Sequence, residues 1–423
     1  MSWRQVHRVR RSAGIAVMGA AALGLTACGV SGSSSTSPTG GAKTAPKQIT
    51  VGTLYASSGQ FAASSIPQYD GLKFWIKQVN ADGGVFVKAY NKKIPVKLVS
   101  YNDESSASTA GTLYNQLITQ DHVDVMVPDF GSVLTAAAVS IAKEHKQLLF
   151  DATASGTSLF TADNPYIVMS GIRSSSLWPD PLTNFMVSKK IKRVAIVYGA
   201  NDFDGAQAAT IKAGLAKNGV TPVYYQSTPT DTTTYGTLLN SISAQHPDAV
   251  VELGYQNNDI AFLKALSASG QKYKMVFTAF PGQLHTLLQS NVGTKALEYT
   301  YSYGFPPQVE HNKVTLGMTT AQFAKAYGGD INFLNTSGYA TGLVVQSALA
   351  NATKFTQLDM RDALTAQSGK LSTILGQFQI DKTGAQTGEF FPLSQMIPGG
   401  GGTQIKVVYP ASAANFQAKY PAP

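Results

Sequence analysis

The sequence predicts an α/β protein made of two doubly wound lobes, each a parallel sheet covered by helices. Short apolar strands alternate with helical segments from residue 49 onward. A second run of the same alternation follows residue 171. Alternation of this kind is typical of parallel sheets with helices on their faces, and two runs of it indicate two lobes.

The composition agrees with a folded protein of about two domains. Of 423 residues, 43% are hydrophobic and 13% are charged, which supports a full apolar core and excludes a charge-dominated disordered chain. The single cysteine, Cys28, excludes an internal disulfide framework and a cysteine-based zinc site. After the leader, no Lys/Arg cluster with interleaved aromatic residues occurs, so we do not expect nucleic acid as a partner.

Residues 1–27 have the pattern of a secretory signal. Four arginines lie in residues 1–11, and residues 12–27 are uncharged, apolar and too few for an ordinary membrane span. The sequence LTAC at residues 25–28 resembles a bacterial lipoprotein box, which implies cleavage before Cys28 and lipidation of its thiol. An uncleaved anchor with an idle Cys28 is the alternative, and Arg10-Arg11 leaves the twin-arginine export route open beside the general one. Residues 28–47 are rich in Gly, Ser, Thr and Pro and are predicted to be a flexible tether.

The folded body opens with a predicted strand at residues 49–55 and the small-residue loop ASSGQFA, which contains Ser58. Ser65 and Gln68 have the spacing of a capping box, and Pro67 suits a first helical turn, so a helix is predicted to start there. Asp82-Gly83-Gly84 ends this helix. A strand at residues 94–100 and a helix at 106–119 follow.

The stretch from residue 123 to 156 is predicted to organise the binding site. It contains a strand at 123–127, a helix from Ser132 and a strand at 147–150, followed by Ala154, Ser155 and Gly156. Ser132 after Gly131 is predicted to be a helix N-cap, beside unpaired N–H groups that suit a ligand carboxylate. The simpler interpretation is that Ser132 only caps its helix.

The second run and the C-terminal third give the remaining elements. Strands are predicted at residues 193–197, 221–226, 249–253, 274–278, 376–380, 395–397 and 404–409. Helices are predicted at residues 174–188, 235–244, 259–269, 319–327, 338–352 and 359–365, with another after the loop 198–204. The PGGGG at residues 398–402 is predicted to be a hairpin turn between the last two strands.

Five segments in this order resemble the branched-chain amino-acid (Leu/Ile/Val) type of periplasmic binding protein. They are ITVGTLYASSGQFA, VNADGG, PDFGSVLTAAAVSIAKEHKQLLFDATAS, KKIKRVAIVYGANDFDGAQA and LGQFQIDKTGAQTG. The resemblance spans about residues 48–410. It implies a type I fold with three hinge crossings, lobe 1 at residues 48–172 and 303–373, and lobe 2 at 173–302 and 374–423. The solute would lie in the cleft, where the carboxyl ends of the strands face each other.

The resemblance also implies roles for single residues. Ser132 and Ser155 match the residues that receive an amino acid's carboxylate, Ala154 supplies backbone, and Ser64 lies where several members have a tyrosine. Phe203 and Tyr255 match aromatic residues that close from lobe 2. The predicted ligand-binding set is Ser132, Gly131, Phe130, Ala154, Ser155, Ser58, Ser64, Phe203, Tyr255 and Phe280.

Ala279 departs from the family pattern, because it stands near the acidic residue that pairs with an α-ammonium. An ammonium buried without an anion is costly, so the site needs another acid or a ligand without that charge. Asp129, Asp202 and Asp204 are candidates, and each also fits an ordinary loop or cap aspartate. Together with the aromatic residues, Ala279 favours a small apolar or aromatic carboxylate or amide.

An enzyme is the main alternative class, and the sequence argues against it. Ser132 lacks the second glycine of a nucleophile elbow, and no histidines have metal-type spacing. His145 lies thirteen positions after Ser132, roughly 20 Å along a helix, too far to act as its base.

We therefore expect a non-enzymatic, monomeric binding lipoprotein without cofactor or metal, held on the extracytoplasmic face of the cell membrane. Its expected partners are an ABC permease and ATPase; a ligand sensor for a signalling partner is the other function that the same fold fits.

Overall fold

The computed structural model describes residues 44–308 and 313–423. Its first part alternates strands with helices from the first strand on. The elements are β1 (Ile49–Tyr55), α1 (Ala62–Ala81), β2 (Val85–Val87), β3 (Lys92–Ile94), β4 (Val96–Asn102), α2 (Ala107–Thr119), β5 (Val125–Val127), α3 (Gly131–His145), β6 (Leu149–Asp151) and β7 (Ile167–Met169). Strands β4-β1-β5-β6-β7 form one parallel five-stranded sheet in that order, and β2 pairs with β3 as a small hairpin.

The second part repeats the alternation around a second sheet. Its elements are α4 (Asp180–Ser188), β8 (Val194–Gly199), α5 (Asp202–Ala216), β9 (Tyr224–Thr228), α6 (Gly236–Ser243), β10 (Ala249–Leu253), α7 (Gln256–Ser269), β11 (Met275–Phe277), α8 (His285–Val292), α9 (Thr294–Leu297) and β12 (Tyr301–Tyr303). The remaining elements are α10 (Thr320–Tyr327), α11 (Phe333–Asn351), α12 (Gln357–Gln367), β13 (Ser372–Thr373), β14 (Gly376–Gln377), β15 (Leu393–Gly399) and β16 (Gly402–Tyr409).

The second sheet has the order β16-β15-β12-β11-β10-β8-β9. Strands β12, β11, β10, β8 and β9 are parallel, and the hairpin β15-β16 adds two antiparallel strands at one edge. We call the first sheet with its helices the first lobe and the second sheet with its helices the second lobe. The predicted α/β architecture with two parallel-sheet lobes is confirmed.

The chain passes between the two sheets three times. It leaves the first sheet after β7, returns after β12 to place α11 against α1 and the first sheet, and leaves again after β14 to form β15. Two of the connections meet at the backbone, where the Ser174 N–H donates to the Gln386 carbonyl at 2.9 Å. The two lobes are therefore joined by three chain connections.

Glycines let α1 and α11 approach at backbone distance in the first lobe. A Cβ on Gly71 would lie 2.1 Å from the Asn335 carbonyl oxygen, and a Cβ on Gly338 would lie 2.0 Å from the Gln68 carbonyl oxygen. Since real Cβ atoms do not come that close to another heavy atom, only glycine fits at either position. The crossing fixes α11, whose first residue, Phe333, belongs to the site described below.

Two predicted caps are wrong. Helix α1 begins at Ala62 without a side-chain cap, and Ser65 and Gln68 are already inside it. Ser65 instead accepts a hydrogen bond from the Ala56 N–H at 2.7 Å, and the Gln68 amide donates to the Pro128 carbonyl at 3.1 Å. Both side chains tie α1 to loops at the end of the sheet, because tertiary partners compete with the local cap.

Ser132 is also not an N-cap. Helix α3 begins at Gly131, its N-cap residue is Phe130, and no side chain caps it. The positive φ of Gly131, +79°, turns the chain into the helix one residue earlier than predicted. Ser132 therefore lies inside the first turn, where its hydroxyl is free for a tertiary contact.

Other helix starts also differ from the prediction. Helix α4 begins at Asp180 instead of residue 174, because Pro179 and Pro181, which lack a backbone N–H, fit only at the N-cap and in the first turn of a helix. Helix α7 begins at Gln256, and α11 at Phe333, both earlier than predicted. Strand β10 matches its predicted bounds, and the predicted hairpin turn is confirmed at Gly400-Gly401, both of which have positive φ.

Candidate functional site

The candidate site lies where the carboxyl ends of strands from both lobes meet. Phe130 follows β5 and Thr153 follows β6 in the first lobe; Tyr255 follows β10 and Phe280 follows β11 in the second. Phe203, in the first turn of α5, adds a residue beyond β8. This is the edge at which open α/β sheets bind ligands.

A small cavity lies between these residues. Its volume open to the centre of a water molecule is about 10 Å³, room for about one water. Only three of the lining side chains, Thr153, Trp178 and Tyr255, carry a polar atom. The lining residues are Phe130, Thr153, Ile172, Trp178, Phe203, Tyr255, Phe280 and Phe333.

Tyr255 is the central ring of the site. Its ring stacks on Phe203 of its own lobe at a centroid distance of 5.4 Å. From the first lobe, Phe61 at 5.1 Å and Phe130 at 5.8 Å present their rings edge to face. These contacts join both lobes into one continuous apolar cluster, so the cleft is closed around aromatic side chains.

The hydroxyl of Tyr255 lies at the first turn of α3. Burial raises the pKa of the Tyr255 phenol. A smaller, opposite effect comes from the N–H groups of Ser132 and Val133 and the Ser132 hydroxyl, which favour the ionised form. The hydroxyl is buried and makes no hydrogen bond of acceptable geometry. Gly131 leaves room for the ring, because a Cβ there would lie 3.2 Å from the Tyr255 Cε1.

Ser132 binds the loop after β6. Its hydroxyl oxygen accepts a hydrogen bond from the Gly156 N–H at 2.9 Å. Ser155 is fully buried, its carbonyl accepts from the Ser175 N–H at 2.9 Å, and its hydroxyl has no partner. The structure thus brings Gly131, Ser132, Ser155 and Tyr255 to one end of α3, beside the cavity.

Ala154 lies in the same loop, held by a buried acid. Its N–H donates to the Asp151 carboxyl at 2.9 Å, and Asp151 is fully buried. Burial raises the pKa of Asp151 to about 8, against the backbone N–H groups that lower it. Asp151 therefore carries its proton at neutral pH while it fixes the loop.

Two predicted site residues lie elsewhere. Ser58 is exposed on the loop after β1, and its carbonyl accepts from the Ser105 hydroxyl at 2.6 Å. Ser64 is buried in the first turn of α1, with an unpartnered hydroxyl. Neither residue lines the cavity.

The family model described as "Periplasmic binding protein" matches residues 48–400. This chain belongs to the periplasmic binding protein family. Its fold is of the branched-chain amino-acid type.

Single relatives agree over nearly the whole chain. The Leu/Ile/Val-binding protein homolog 7 of Brucella abortus is 22% identical over 397 residues, which is 90% of this chain and 96% of that protein. The substrate-binding protein LivJ of Streptococcus pneumoniae, solved with isoleucine, has a TM-score of 0.70 at 20% identity and covers 86% of this chain and 100% of its own. A solute-binding protein of R. palustris solved with benzoate has a TM-score of 0.71 at 16% identity, with 88% and 99% covered.

The two lobes of this periplasmic binding protein are linked by polar contacts at the rim of the cleft. The Asp202 carboxylate at the start of α5 accepts from both the N–H and the hydroxyl of Ser158, each at 2.8 Å. Gln256 and Asn257 of α7 both donate to the Gln60 carbonyl, at 3.0 and 2.8 Å. These bonds hold the closed arrangement from both sides.

The three acids considered as partners of an ammonium group are all engaged. Asp202 binds Ser158 at the rim. Asp129 accepts from the Phe130 N–H at 2.6 Å and from Ser65, and Asp204 accepts from the Asn201 amide at 2.6 Å. Burial raises the pKa of both Asp129 and Asp204 well above the usual range, which disfavours the charged form that an ammonium group would need as its partner. Ala279 is fully buried, and no carboxylate lines the cavity.

A buried acid also supports Phe280 in the second lobe. The Asp259 carboxyl accepts from the Phe280 N–H at 2.6 Å. Burial raises the pKa of Asp259 to about 7. Asp129 and Asp259 thus play the same part in the two lobes, because each fixes the backbone of a cavity aromatic.

Sequence reasoning missed four lining residues: Ile172, Thr153, Trp178 and Phe333. Trp178 was assigned to a helix, but it precedes α4, and its indole N–H donates to the Arg173 carbonyl at 2.8 Å. The WPDP sequence at residues 178–181 is the signal from which the later start of α4 could have been predicted. Phe333 follows Asn332, which accepts from the Leu334 and Asn335 N–H groups, and this cap is readable from the sequence.

Cys28, the signal segment and most of the tether lie outside the described residues. Across residues 44–308 and 313–423, no helix has the length and apolarity needed to span a membrane. Within the same ranges, no three metal-ligating side chains come together.

Proposed function

We propose that this periplasmic binding protein captures a small carboxylate or amide solute in the cleft and delivers it unchanged to an ABC importer. The observation that carries the proposal is the first turn of α3, whose N-cap residue Phe130 supplies no side-chain cap and which begins at an aromatic cavity formed by both lobes. Helix N-termini favour negative charge and offer free N–H groups. The cavity supplies apolar surface for the rest of the solute.

The absence of a lining carboxylate favours a solute without an ammonium group. An ammonium in this apolar cavity would lose its hydration without gaining a partner anion. Isoleucine and benzoate, the compounds named with two similar structures, share a carboxylate and an apolar body. We therefore infer an apolar or aromatic carboxylate, or an amide, as the solute.

The other parts of the proposal concern the whole chain. Residues 1–27 serve as a signal segment, Cys28 carries a lipid, and residues 28–47 tether a monomer to the extracytoplasmic face of the cell membrane. Residues 48–172 with 303–373 form the first lobe, and 173–302 with 374–423 the second. The chain catalyses no reaction, and its partners are an ABC permease and ATPase.

The lipid anchor is tested with a radiolabelled lipid. We expect the label to be incorporated into the wild type but not into Cys28→Ser.

A thermal-shift screen tests solute binding. Purified protein is heated with amino acids, amides, aromatic acids and small peptides, since a solute that binds only the folded protein raises the melting temperature by mass action. We expect a saturable rise with at least one apolar or aromatic carboxylate or amide, and recovery of that compound unchanged. No rise with any class, or conversion of the compound, contradicts the proposal.

A further inference from the structure

Tyr255 occupies the middle of the closed cleft. Its side chain is 3% exposed, and its ring is packed by Phe61 and Phe130 from the first lobe and by Phe203 and Phe280 from the second. The cavity next to it holds about one water. A solute larger than water therefore has no room in this arrangement until a side chain moves.

The hydroxyl of Tyr255 takes the position that suits an acid group. It lies at the N-terminus of α3, where a Cβ on Gly131 would be 3.3 Å from it, and it is buried without a hydrogen-bond partner. A buried phenol oxygen without a partner is a poor substitute for an anion at a helix N-terminus. The Ser155 hydroxyl, also buried and unpartnered, belongs to the loop that Ser132 holds at this same turn.

The backbone of Tyr255 is held independently of its side chain. The Tyr255 N–H donates to the Asn258 side chain at 3.0 Å, and the Tyr255 carbonyl accepts from the Asn258 and Asp259 N–H groups at 2.9 and 3.1 Å. Since α7 fixes the backbone, rotation about the side-chain bonds of Tyr255 moves the ring without breaking the start of the helix. The ring is thus a movable group on a fixed support.

We propose that Tyr255 is a built-in occupant of the solute site: its ring fills the closed cleft and is displaced when the solute binds. The group that replaces it has the same layout: a flat ring of about the size of a phenol, carrying a terminal carboxylate that receives the α3 N–H groups. This names aromatic monocarboxylates as the solute class, and it rests on the proposed binding function.

Displacement makes a quantitative difference to affinity. An occupant that must leave lowers the apparent affinity by the fraction of molecules in which the site is free. Removing the occupant therefore tightens binding, whereas removing an ordinary wall residue weakens it. Tyr255→Ala separates these two roles by the sign of the change.

The experiment uses benzoate and phenol as probes on the purified protein. Phenol is the group that Tyr255→Ala deletes, and benzoate adds the carboxylate for α3. We expect phenol to raise the melting temperature of Tyr255→Ala but not of the wild type, and benzoate to bind the variant at least about tenfold more tightly in titration calorimetry.

A second tyrosine-to-alanine variant controls for nonspecific binding in a cavity created by the substitution. Tyr235 is also a buried tyrosine of the second lobe, and its hydroxyl donates to the Glu252 carboxyl at 3.3 Å instead of facing a helix N-terminus. Tyr235→Ala is expected to gain nothing from benzoate. Benzoate binding equally to both alanine variants overturns the proposal.

Two other results overturn it: weaker benzoate binding by Tyr255→Ala than by the wild type, and a folded Tyr255→Ala that responds to neither probe. Failure of the proposed function looks different. If the wild type binds no solute in the screen while Tyr255→Ala still takes phenol and benzoate, Tyr255 is an occupant of an anion-binding pocket, and the solute-binding role is wrong.

Discussion

Ser132 fixes the relation between α3 and the loop after β6. Its hydroxyl oxygen holds the Gly156 N–H at 2.9 Å, and a Cβ on Gly156 would lie 3.0 Å from that oxygen. The loop is thereby kept close to the helix N-terminus where we place the solute carboxylate. One side chain thus orders the loop and can also donate to the solute.

Ser132→Ala is expected to weaken solute binding by about 1–3 kcal/mol, the scale of a hydrogen bond to a charged group. Titration calorimetry with the solute found in the screen measures the change. Ser140→Ala, an exposed serine on the same helix, is the control and should leave the affinity unchanged. Equal affinities for Ser132→Ala and the wild type would remove Ser132 from the site.

Asp151 links the same loop to pH. Its pKa in the folded protein is about 8, whereas an unfolded aspartate titrates near pH 4. The folded state therefore binds one more proton than the unfolded state between these values, and the stability contributed by the buried neutral acid is lost as the pH rises from about 4 through about 8. Tyr114 neighbours both Asp151 and Asp129, and the pKa of Asp129 is raised in the same direction.

We predict a melting temperature several degrees higher near pH 5 than near pH 9, followed by circular dichroism or calorimetry. Asp151→Asn keeps an acceptor for the Ala154 N–H without the titration, so its pH dependence should be shallower. A wild type that becomes more stable with rising pH, or an Asp151→Asn profile of unchanged slope, contradicts this account.

At the residue scale, the sequence could predict which loops meet but not every contact. Phe130, Phe203, Tyr255 and Phe280 were placed near the cleft because parallel strands end at the same sheet edge. Ser58 was placed there on the same argument, but it is exposed, and its carbonyl accepts from the Ser105 hydroxyl. The Ser132–Gly156 bond depends on two loops brought together by tertiary packing, which no local pattern specifies.

The α1–α11 crossing is the element contact that depends most on single atoms. Gly71 and Gly338 bring the helix backbones together, and α11 carries Phe333 into the site. Because both neighbouring groups are backbone, a side chain there cannot be accommodated by a rotamer change.

Gly338→Ala is expected to lower the free energy of unfolding by about 1–3 kcal/mol through overpacking. Gly205→Ala in α5 is the matched control, because nothing lies within 4 Å of a Cβ there. That control should be neutral or stabilising by about 0.5–1 kcal/mol, since alanine favours a helix. Urea unfolding of both variants measures the difference, and equal effects would show that the crossing tolerates a methyl group.

At the element scale, strands were easier to predict than helix starts. β10 was predicted with its observed bounds because AVVEL is a short apolar run that is buried on both faces. Helices α1, α4, α7 and α11 start elsewhere than predicted, because their first turns are set by contacts with loops or by prolines. The Ser65–Gln68 spacing of a capping box was outweighed by partners at Ala56 and Pro128.

The two lobes meet through an aromatic centre and a polar rim. Asp202 of the second lobe binds Ser158 of the first through two hydrogen bonds. The rim bonds exist only when the cleft is closed, so they bias the hinge toward the closed form.

Asp202→Ala is expected to shift the protein toward the open form and to weaken solute binding by about 1 kcal/mol. Small-angle X-ray scattering should show a larger radius of gyration than the wild type without solute. Asp231→Ala, an exposed aspartate of the second lobe, should change neither quantity. An unchanged radius of gyration for Asp202→Ala would mean that the aromatic centre alone keeps the cleft closed.

At the scale of the whole molecule, the two lobes and their three connections were predictable from the order of strands and helices, aided by the family resemblance. The closed, aromatic-filled cleft was not, because closure depends on contacts between residues far apart in sequence. Phe61 and Tyr255 are one such pair.

The account predicts a cleft for a carboxylate solute that carries no ammonium group. The most direct measurement is titration calorimetry of the purified protein with two matched pairs: 3-phenylpropanoate against phenylalanine, and 4-methylpentanoate against leucine. Each pair differs only in the α-ammonium. We predict one-to-one binding of at least one of the two carboxylates, and binding of its amino acid at least about tenfold weaker. Tighter binding of leucine or phenylalanine than of its deaminated partner would contradict the account.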